Sequence, residues 1–507
     1  MKETLRHTLA SLVLGYHLAT AAPTQETTQA CTDIQNALPG KVLTPGLLAA
    51  EYAFETQQYW SMTTRYADPA CIVQPISAED VSTVIKTLLK YPNVKFATRS
   101  GGHDPNVGHA SIEDGVLITM TDMVGATYDA AKQVAYVKPG GKWNDVVGDL
   151  EPSGVTILGG RLGIVGVGGL LLGGGLSFLS AQRGLAADNI IGWETVMANG
   201  SVVNVDAAAH PDLAQALRGS SSQFGVVTTF TVKTKPMTDV WGGSCIYDST
   251  TQSEALYAAL HNFVANGAQD PKAAIIFTDL ILAAGVSTKL IYYFYDAPTP
   301  PTSGPFADFF KIVNPLCLPK TQKYSELVRA NGAPVALLQA RASFRTFTLP
   351  FIPTRPQMYS EIQAKFAKIT SPFINTLRPT SQFSVDFQPL PSVIGKFSES
   401  AGGNAYGLSS SDADLIVLEI QGSWLLPEDD AAGYDLSKQL TDWLDEEVPK
   451  WLDEAGMSDV YRPLYLNDAA GDQPVMQSWK DHAKLKALQQ KYDPNGLFST
   501  RAGGFKF

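Results

Sequence analysis

The pentapeptide Arg99-Ser100-Gly101-Gly102-His103 follows an apolar run, residues 94–98, and its residue types suit anion binding. Two adjacent glycines let backbone amides converge on an anion without Cβ obstruction. The histidine one step further places an imidazole where a phosphate-bearing cofactor would pass. A second stretch offers the same close backbone approach, because residues 159–175 hold nine glycines in seventeen positions. Gly166-x-Gly168 within it lacks the third glycine of a dinucleotide fingerprint, since position 171 is leucine. That disfavours a nicotinamide dehydrogenase of the usual kind. Residues 162–181 carry no charge and include Gly169-x-x-x-Gly173, a pattern also found in membrane spans. Each glycine costs a helix about 1 kcal/mol relative to alanine, so a phosphate-approaching loop is the better reading and no membrane partner is expected. No His, Asp, Glu or Cys cluster has ligand spacing, and no catalytic metal is expected.

These loops need elements to hold them. Residues 72–73 read as a strand, and Ser77-Ala78-Glu79-Asp80 has the pattern of a capping box. Val81, Val84, Ile85, Leu88 and Leu89 share one helix face, and residues 93–98 form the next strand. A strand–helix–strand unit therefore delivers the Arg99 loop. Residues 115–120 and 134–137 are further strands, the second leading into the turn Pro139-Gly140-Gly141. Trp143, Val146, Val147 and Leu150 predict a short amphipathic helix that Gly154 ends. Residues 195–197 and 202–205 flank Asn199-Gly200, a hairpin signal, and Asn199-Gly200-Ser201 is also a glycosylation sequon. Residues 212–217 predict a helix and 225–232 a strand. Beyond Pro236 the spacing predicts strands over 275–282, 288–295, 384–387 and 414–420, with helices over 358–369, 434–452 and 483–491.

In combination, Arg99-Ser100-Gly101-Gly102-His103, Pro139-Gly140, the glycine run 166–175, Gly184-Leu185-x-x-Asp188-Asn189-Ile190, Gly225-Val226-Val227-Thr228 and Asp493-Pro494-x-x-x-Phe498 carry a resemblance. The chain resembles the vanillyl-alcohol oxidase and p-cresol methylhydroxylase superfamily, in its berberine bridge enzyme-like branch of flavin-linked oxidases. The resemblance spans residues 71–236 and 465–498. It implies an α+β fold with a two-part FAD-binding domain, residues 22–236 completed by 457–507. A substrate domain, residues 237–456, would be inserted between them on an antiparallel sheet covered by helices.

The resemblance further implies that the Arg99 loop wraps the FAD pyrophosphate and that His103 is bonded through a ring nitrogen to the flavin 8α-methyl carbon. Cofactor contacts are then expected from Arg99, Ser100, Gly101, Gly102, Asp104, Gly108, His109, Pro139, Gly140, Gly163, Val165, Gly166, Gly168, Gly169, Gly173, Gly174, Asp188, Asn189, Ile190, Gly225, Val227 and Asn467. Three positions depart from the family pattern. Many relatives carry a second link from a cysteine where this chain has Leu162, so a single covalent link through His103 is implied. Relatives have Tyr-x-Asn-Tyr where this chain reads Tyr465-Leu466-Asn467-Asp468. A carboxylate is a competent general base, and burial raises its pKa, so either Asp468 or Tyr465 is the expected base. Gln223 replaces an asparagine before Phe-Gly, and serines at 220–222 replace part of a glycine run. Gln388, Tyr406 and Trp424 are candidates either to line the substrate pocket or to pack beside it.

The implied activity is oxidation of a substrate C–H, most simply the carbinol C–H of an alcohol, with electrons passing to FAD and then to O2 to give peroxide. The Asn-Asp variant leans toward a small specialised metabolite over a carbohydrate, by analogy. A flavin dehydrogenase with another acceptor and a flavin-carrying binding or cyclisation protein are the alternatives.

Composition bounds the rest. At 507 residues the chain is too long for one ordinary core. A net charge of −11 argues against nucleic acid as a partner, and a monomer is expected. Lys2 and Arg6 precede an apolar stretch, residues 9–19, and Ala19-Thr20-Ala21 supplies a small-x-small cleavage pattern. Residues 1–21 are therefore expected to be a secretory signal and the protein extracellular. None of the four cysteines has CxxC spacing. Export makes Cys31 with Cys71 the expected disulfide, which would stabilise by about 3–4 kcal/mol. Cys245 and Cys317 are expected to be buried thiols.

Overall fold

The strand–helix–strand unit sits among residues 71–99 as the periodicity predicts. A computed structural model describes residues 23–46, 49–313, 316–336, 339–374, 378 and 380–507; the expected signal, residues 1–21, lies outside them. Helices α1 (Gln25–Ala37) and α2 (Ala50–Thr56) precede it. Strands β1 (Val42–Leu43), β2 (Cys71–Val73), β3 (Phe96–Arg99) and β4 (Val116–Thr119) form a sheet in the order β1-β2-β4-β3. Both β2 and β3 run parallel to β4, and parallel neighbours need a crossover. Helix α3 (Ala78–Leu88) supplies one, capped by Ser77, whose Oγ accepts the Asp80 N–H at 3.3 Å. Cys31 on α1 is bonded to Cys71 on β2. Strand β3 ends at Arg99, where the glycine loop begins.

A second sheet is antiparallel: β5 (Ala126–Asp129), β6 (Val134–Val137), β8 (Ile190–Val196), β9 (Val202–Asp206) and β10 (Val226–Lys233), in the order β5-β6-β10-β8-β9. Asn199 and Gly200 turn β8 into β9, which pairs Val196 with Val202. Short strands β7 (Val155–Thr156) and β11 (Lys235–Pro236) pair beside it. Helix α4 (Trp143–Leu150) packs its Trp143, Val146, Val147 and Leu150 face into the same core, and Gly154 ends the following turn at φ +67°. Helices α5 (Val167–Leu172) and α6 (Pro211–Leu217) complete this half.

The third sheet has seven antiparallel strands: β12 (Val240–Asp248), β13 (Ala273–Leu282), β14 (Ser287–Tyr295), β15 (Lys320–Gln322), β16 (Arg341–Pro350), β17 (Gln382–Leu390) and β18 (Leu415–Trp424). Their order is β15-β12-β14-β13-β17-β18-β16. Helices α7 (Ser249–Asn266), α9 (Met358–Ile374) and α10 (Asp430–Glu454) bury one face of it; α8 (Tyr324–Ala336) and α11 (His482–Tyr492) lie outside that layer. Alternation decides what each strand offers. Phe383, Val385 and Phe387 enter the helix-side core, whereas Gln382, Ser384, Asp386 and Gln388 line a cavity on the opposite face.

Sequence periodicity does not reveal α7, α8, β12 or β16. All ten residues of β16 are buried, and its polar positions change phase between Arg345 and Thr346, so no single alternation runs along it. The expectation of free thiols at Cys245 and Cys317 is overturned, for the two form a disulfide. Backbone bonds from Ile246 N to Leu316 O and from Leu318 N to Ser244 O, both 3.0 Å, lay the two segments side by side. That contact brings together cysteines 72 positions apart.

The helix-covered face of the sheet buries an ion pair. Lys289 on β14 pairs with Asp279 on β13, with side-chain exposures of 1% and 2%. The Tyr257 hydroxyl donates to Asp279 Oδ2 at 2.7 Å. Removing one partner strands the other charge, so Lys289→Met is expected to lower stability by about 3–5 kcal/mol. Equilibrium urea denaturation checks this; an unchanged midpoint would contradict it.

The chain finally returns to the first sheet. Arg501 donates to the carbonyls of Leu88, Tyr91 and Val94 at 2.8–2.9 Å, and Ala502 bridges Phe96. This carries Gly503, Gly504 and Phe505 to the cavity wall. No described helix is long and apolar enough to cross a membrane.

Candidate active site

A cavity of about 460 Å³ lies between the seven-stranded sheet and the two glycine loops. Ser100, Gly101, Gly102, His103 and Asp104 form part of its wall, with Pro139, Val165, Gly166, Gly168 and Gly169 beside them. Ser100 ties three loops together: its Oγ donates to Pro139 O at 2.5 Å and accepts the Gly168 N–H at 3.0 Å. Gly101 and Gly166 touch backbone to backbone, and a Cβ on Gly101 would lie 2.5 Å from Gly166 Cα. Among the described residues, the N–H groups of Gly101, Gly102, His103 and Asp104 donate to no acceptor in the chain. Bare amides on a turn through a left-handed glycine, Gly102 at φ +67°, form a nest for an anion.

The close contact makes a prediction. Gly101→Ala forces two backbones apart, at a cost of about 1–3 kcal/mol. Made in a His103→Ala background, the substitution is expected to weaken flavin binding roughly tenfold, measured as the flavin-to-protein absorbance ratio after gel filtration.

Arg99 behaves differently from its sequence expectation. It is buried at 1% exposure and points away from the cavity, pairing with Glu55 of α2. Its Nη1 donates to Glu55 O at 2.6 Å, and Tyr59 stacks under the guanidinium. It anchors the loop from behind and does not reach an anion in front.

His103 faces the cavity with neither ring nitrogen hydrogen-bonded among the described residues. Trp60 lies against its ring at 4.7 Å between centroids, and Phe344 of β16 at 6.0 Å. Burial, helped by the nearby Lys142 cation, lowers its pKa to about 4. At neutral pH it is an uncharged imidazole with a free lone pair. His109 and Asp104 form a hydrogen-bonded pair at 3.0 Å in the same wall, and Ser221, Ser222, Gly225 and Val227 continue it. Gln223 instead faces inward, its Oε1 accepting from Gln489 at 2.6 Å.

Several expected cofactor residues lie outside the wall and support it. Gly140 sits under Met120 O, 1.6 Å from where a Cβ would be, and Gly163 sits against Asn144. Gly108 turns the loop at φ +84°. Gly173 and Gly174 pack on Asn467 and Tyr406. Asp188 accepts from Leu185 N, Ser398 and Asn404, whereas Asn189 donates to the carbonyls of Arg183 and Leu185. Ile190 is core. Asp188 and Asn189 spend their side chains on protein partners and Ile190 its own on the core, and none of these residues lines the cavity.

Tyr465, Asn467 and Asp468 also line the cavity. Asn467 bridges the glycine run, accepting Gly175 N–H at 3.0 Å and donating to Gly169 O at 3.1 Å. Asp468 accepts from Gln388 Nε2 at 2.8 Å. Arg161 donates to the Oε1 of the same amide. Burial raises the Asp468 pKa above the usual carboxylate range, with the Gln388 bond and Arg161 opposing it. Tyr465 is pushed far above its ordinary value, chiefly by burial, while its hydroxyl accepts the Leu176 N–H at 2.5 Å.

Gln388 thus lines the cavity, whereas Tyr406 and Trp424 do not. Tyr406 donates to Gly173 O at 2.6 Å and accepts from Leu466 N at 3.0 Å. It is a strut between the glycine run and the Tyr465 segment. Trp424 points to the helix side of β18, where its Nε1 donates to Asp430 at 2.7 Å. Sequence reasoning passed over Trp60, Arg161, Phe344, Asp386 and Glu419, all in the wall. Only the two carboxylates left a signal, as charges on the polar phase of strand alternation.

Residues 69–206 match the FAD binding domain family. The chain is 34% identical over 90% of its length to a FAD-linked oxidoreductase of Arthroderma benhamiae, covering 91% of that protein. The chain belongs to the FAD-linked oxidoreductases. It is also 34% identical to the FAD-dependent monooxygenase drtC of Aspergillus calidoustus, over 94% of this chain and 90% of that one. The solved structure of Physcomitrella patens BBE-like 1 shares the fold, with a TM-score of 0.72 at 18% identity, covering 92% of this chain and 97% of that one. In this FAD-dependent oxidoreductase the glycine cradle fits its cofactor: bare amides suit a pyrophosphate, and the wall is shaped by glycines that admit no Cβ.

Proposed function

We propose that this chain is a secreted FAD-linked oxidase of a small alcohol-bearing metabolite, holding its flavin through a single bond to His103. FAD, when bound, supplies the acceptor for the hydride of a substrate C–H and passes the electrons to O2, which becomes peroxide. The observation that carries the reading is Asp468, a buried carboxylate held by Gln388 in the same cavity as the unbonded His103 imidazole. Asp468 takes the hydroxyl proton, and Gln388 orients its carboxylate. Tyr465 is the weaker base, because burial holds its proton and its oxygen is already engaged. The Gly101–Asp104 amides hold the pyrophosphate, and Trp60 fixes the imidazole plane.

The two disulfides and the leader-like residues 1–21 support export. Asn199, exposed in its hairpin turn, is the proposed glycan acceptor. Residues 22–236 with 457–507 are assigned to flavin binding and 237–456 to substrate binding, within a monomer.

Anaerobic mixing with a panel of benzylic and polycyclic alcohols tests the function. At least one is expected to bleach the yellow absorbance, with peroxide appearing when air is readmitted. A flavin that stays oxidised with every member sinks the alcohol oxidase reading.

A further inference from the structure

Gln388 stands between a cation and a carboxylate. Its Nε2 donates to Asp468 Oδ2 at 2.8 Å, and its Oε1 accepts from Arg161 Nη2. A guanidinium carries only donors, so an amide facing Arg161 must present its oxygen and turn its NH2 toward Asp468. The opposite orientation would set oxygen against oxygen and suit only the protonated acid, which can donate. The direction of this one amide therefore favours the ionised carboxylate, through a charge-assisted bond.

The backbone on either side of Arg161 is fixed. Gly159 and Gly160 press on the Trp143 ring, where a Cβ on either would lie 2.2 Å from a ring atom. Gly163 N donates to Val328 O at 2.9 Å. Among the described residues Arg161 belongs to no ion pair, although three cavity carboxylates feel its charge. It bonds the neutral amide instead. The other titratable groups around Asp468 are Asp386 on β17, Glu419 on β18, and the phenols of Tyr465 and Tyr406, stacked at 6.1 Å between centroids.

We propose that Arg161 is a positioning residue: by fixing the Gln388 amide it keeps Asp468 in the ionised form that takes a proton, and so sets the pH range in which the enzyme works. This rests on the reading of Asp468 as the base. The Gln388 bond and the Arg161 charge both oppose the effect of burial on Asp468, the direction this role requires.

The carboxylic-acid infrared band that Asp468→Asn removes, followed against pH in the oxidised flavin-loaded protein, tests the role without turnover. Arg161→Met is expected to raise the midpoint of that band by about one pH unit, and Gln388→Leu by a similar amount. Because the arginine acts through the amide, the double variant should shift little further than either single one, whereas independent effects would add. Arg161→Lys keeps a donor for Oε1 and should stay within about half a unit of the wild type. A midpoint unmoved in Arg161→Met overturns the proposal, as do shifts that add in the double variant. Should Arg161→Met lose its flavin, Gln388→Leu and Arg161→Lys decide. A midpoint unmoved by loss of the amide then overturns the role, and a raised one beside a near-normal lysine variant upholds it. If the band moves but the pH limb of anaerobic bleaching by an alcohol does not follow, the positioning role stands and Asp468 is not the base. A limb that tracks the band supports both.

Discussion

His103→Ala is expected to lose all flavin fluorescence from the denatured band, while the wild type, precipitated with acid and run under the same conditions, keeps it. The cradle alone can bind FAD, so the variant should still purify yellow, with the cofactor now removable. Three features support a single tether. Among the described residues neither nitrogen of His103 is hydrogen-bonded, and burial keeps the ring neutral and nucleophilic at pH 7. Trp60 and Phe344 hold the ring against the wall. No cysteine can supply a second link, because all four are in disulfides and the cavity wall holds Leu162 and no thiol among its residues. Flavin released from the wild type on denaturation removes the tether; flavin retained by the alanine variant moves it to another residue.

The second large effect lies at Asp468. Asp468→Asn keeps the shape and the Gln388 contact but removes the base, so the rate of anaerobic flavin bleaching is expected to fall by about 10²–10⁴-fold. The sign of the pH dependence follows from the direction of the shift. Burial raises the pKa, and the base works only when ionised, so the wild-type rate should climb with pH through a limb above the usual carboxylate range. That limb belongs to the carboxylate group as a whole, since burial also raises Asp386 and Glu419 and the three feel one another's charge. The asparagine variant should lose the limb. A variant with wild-type rate and profile would assign the proton transfer elsewhere.

How much of this was legible in the chain depends on range. The Arg99 loop, its strand–helix–strand support and the Asn199-Gly200 hairpin are local patterns, and each lies where periodicity and turn chemistry place it. The glycines expected at the cofactor stand out by type, but not which of them line the wall and which merely let chains approach. Gly166 and Gly140 look alike in sequence; one lines the cavity and the other lies beneath Met120. Arg99 was misread because its partner, Glu55, is 44 positions away on α2. Trp60 and Phe344 meet His103 only through tertiary packing. Asp386 and Glu419 were within reach, for Phe383-Ser384-Val385-Asp386-Phe387-Gln388 alternates strictly and sets a carboxylate on the polar phase.

The path of residues 493–505 bears on the order of events in biosynthesis. Asp493 accepts the N–H groups of Leu497, Phe498 and Ser499, Arg501 clamps three carbonyls of the first sheet, and Gly503 to Phe505 then close the wall facing His109. The anion nest, by contrast, is complete some four hundred residues earlier in the chain. A nascent polypeptide can therefore present the nest long before it has a finished cavity. Stable capture of FAD is therefore expected only once translation has passed Phe505.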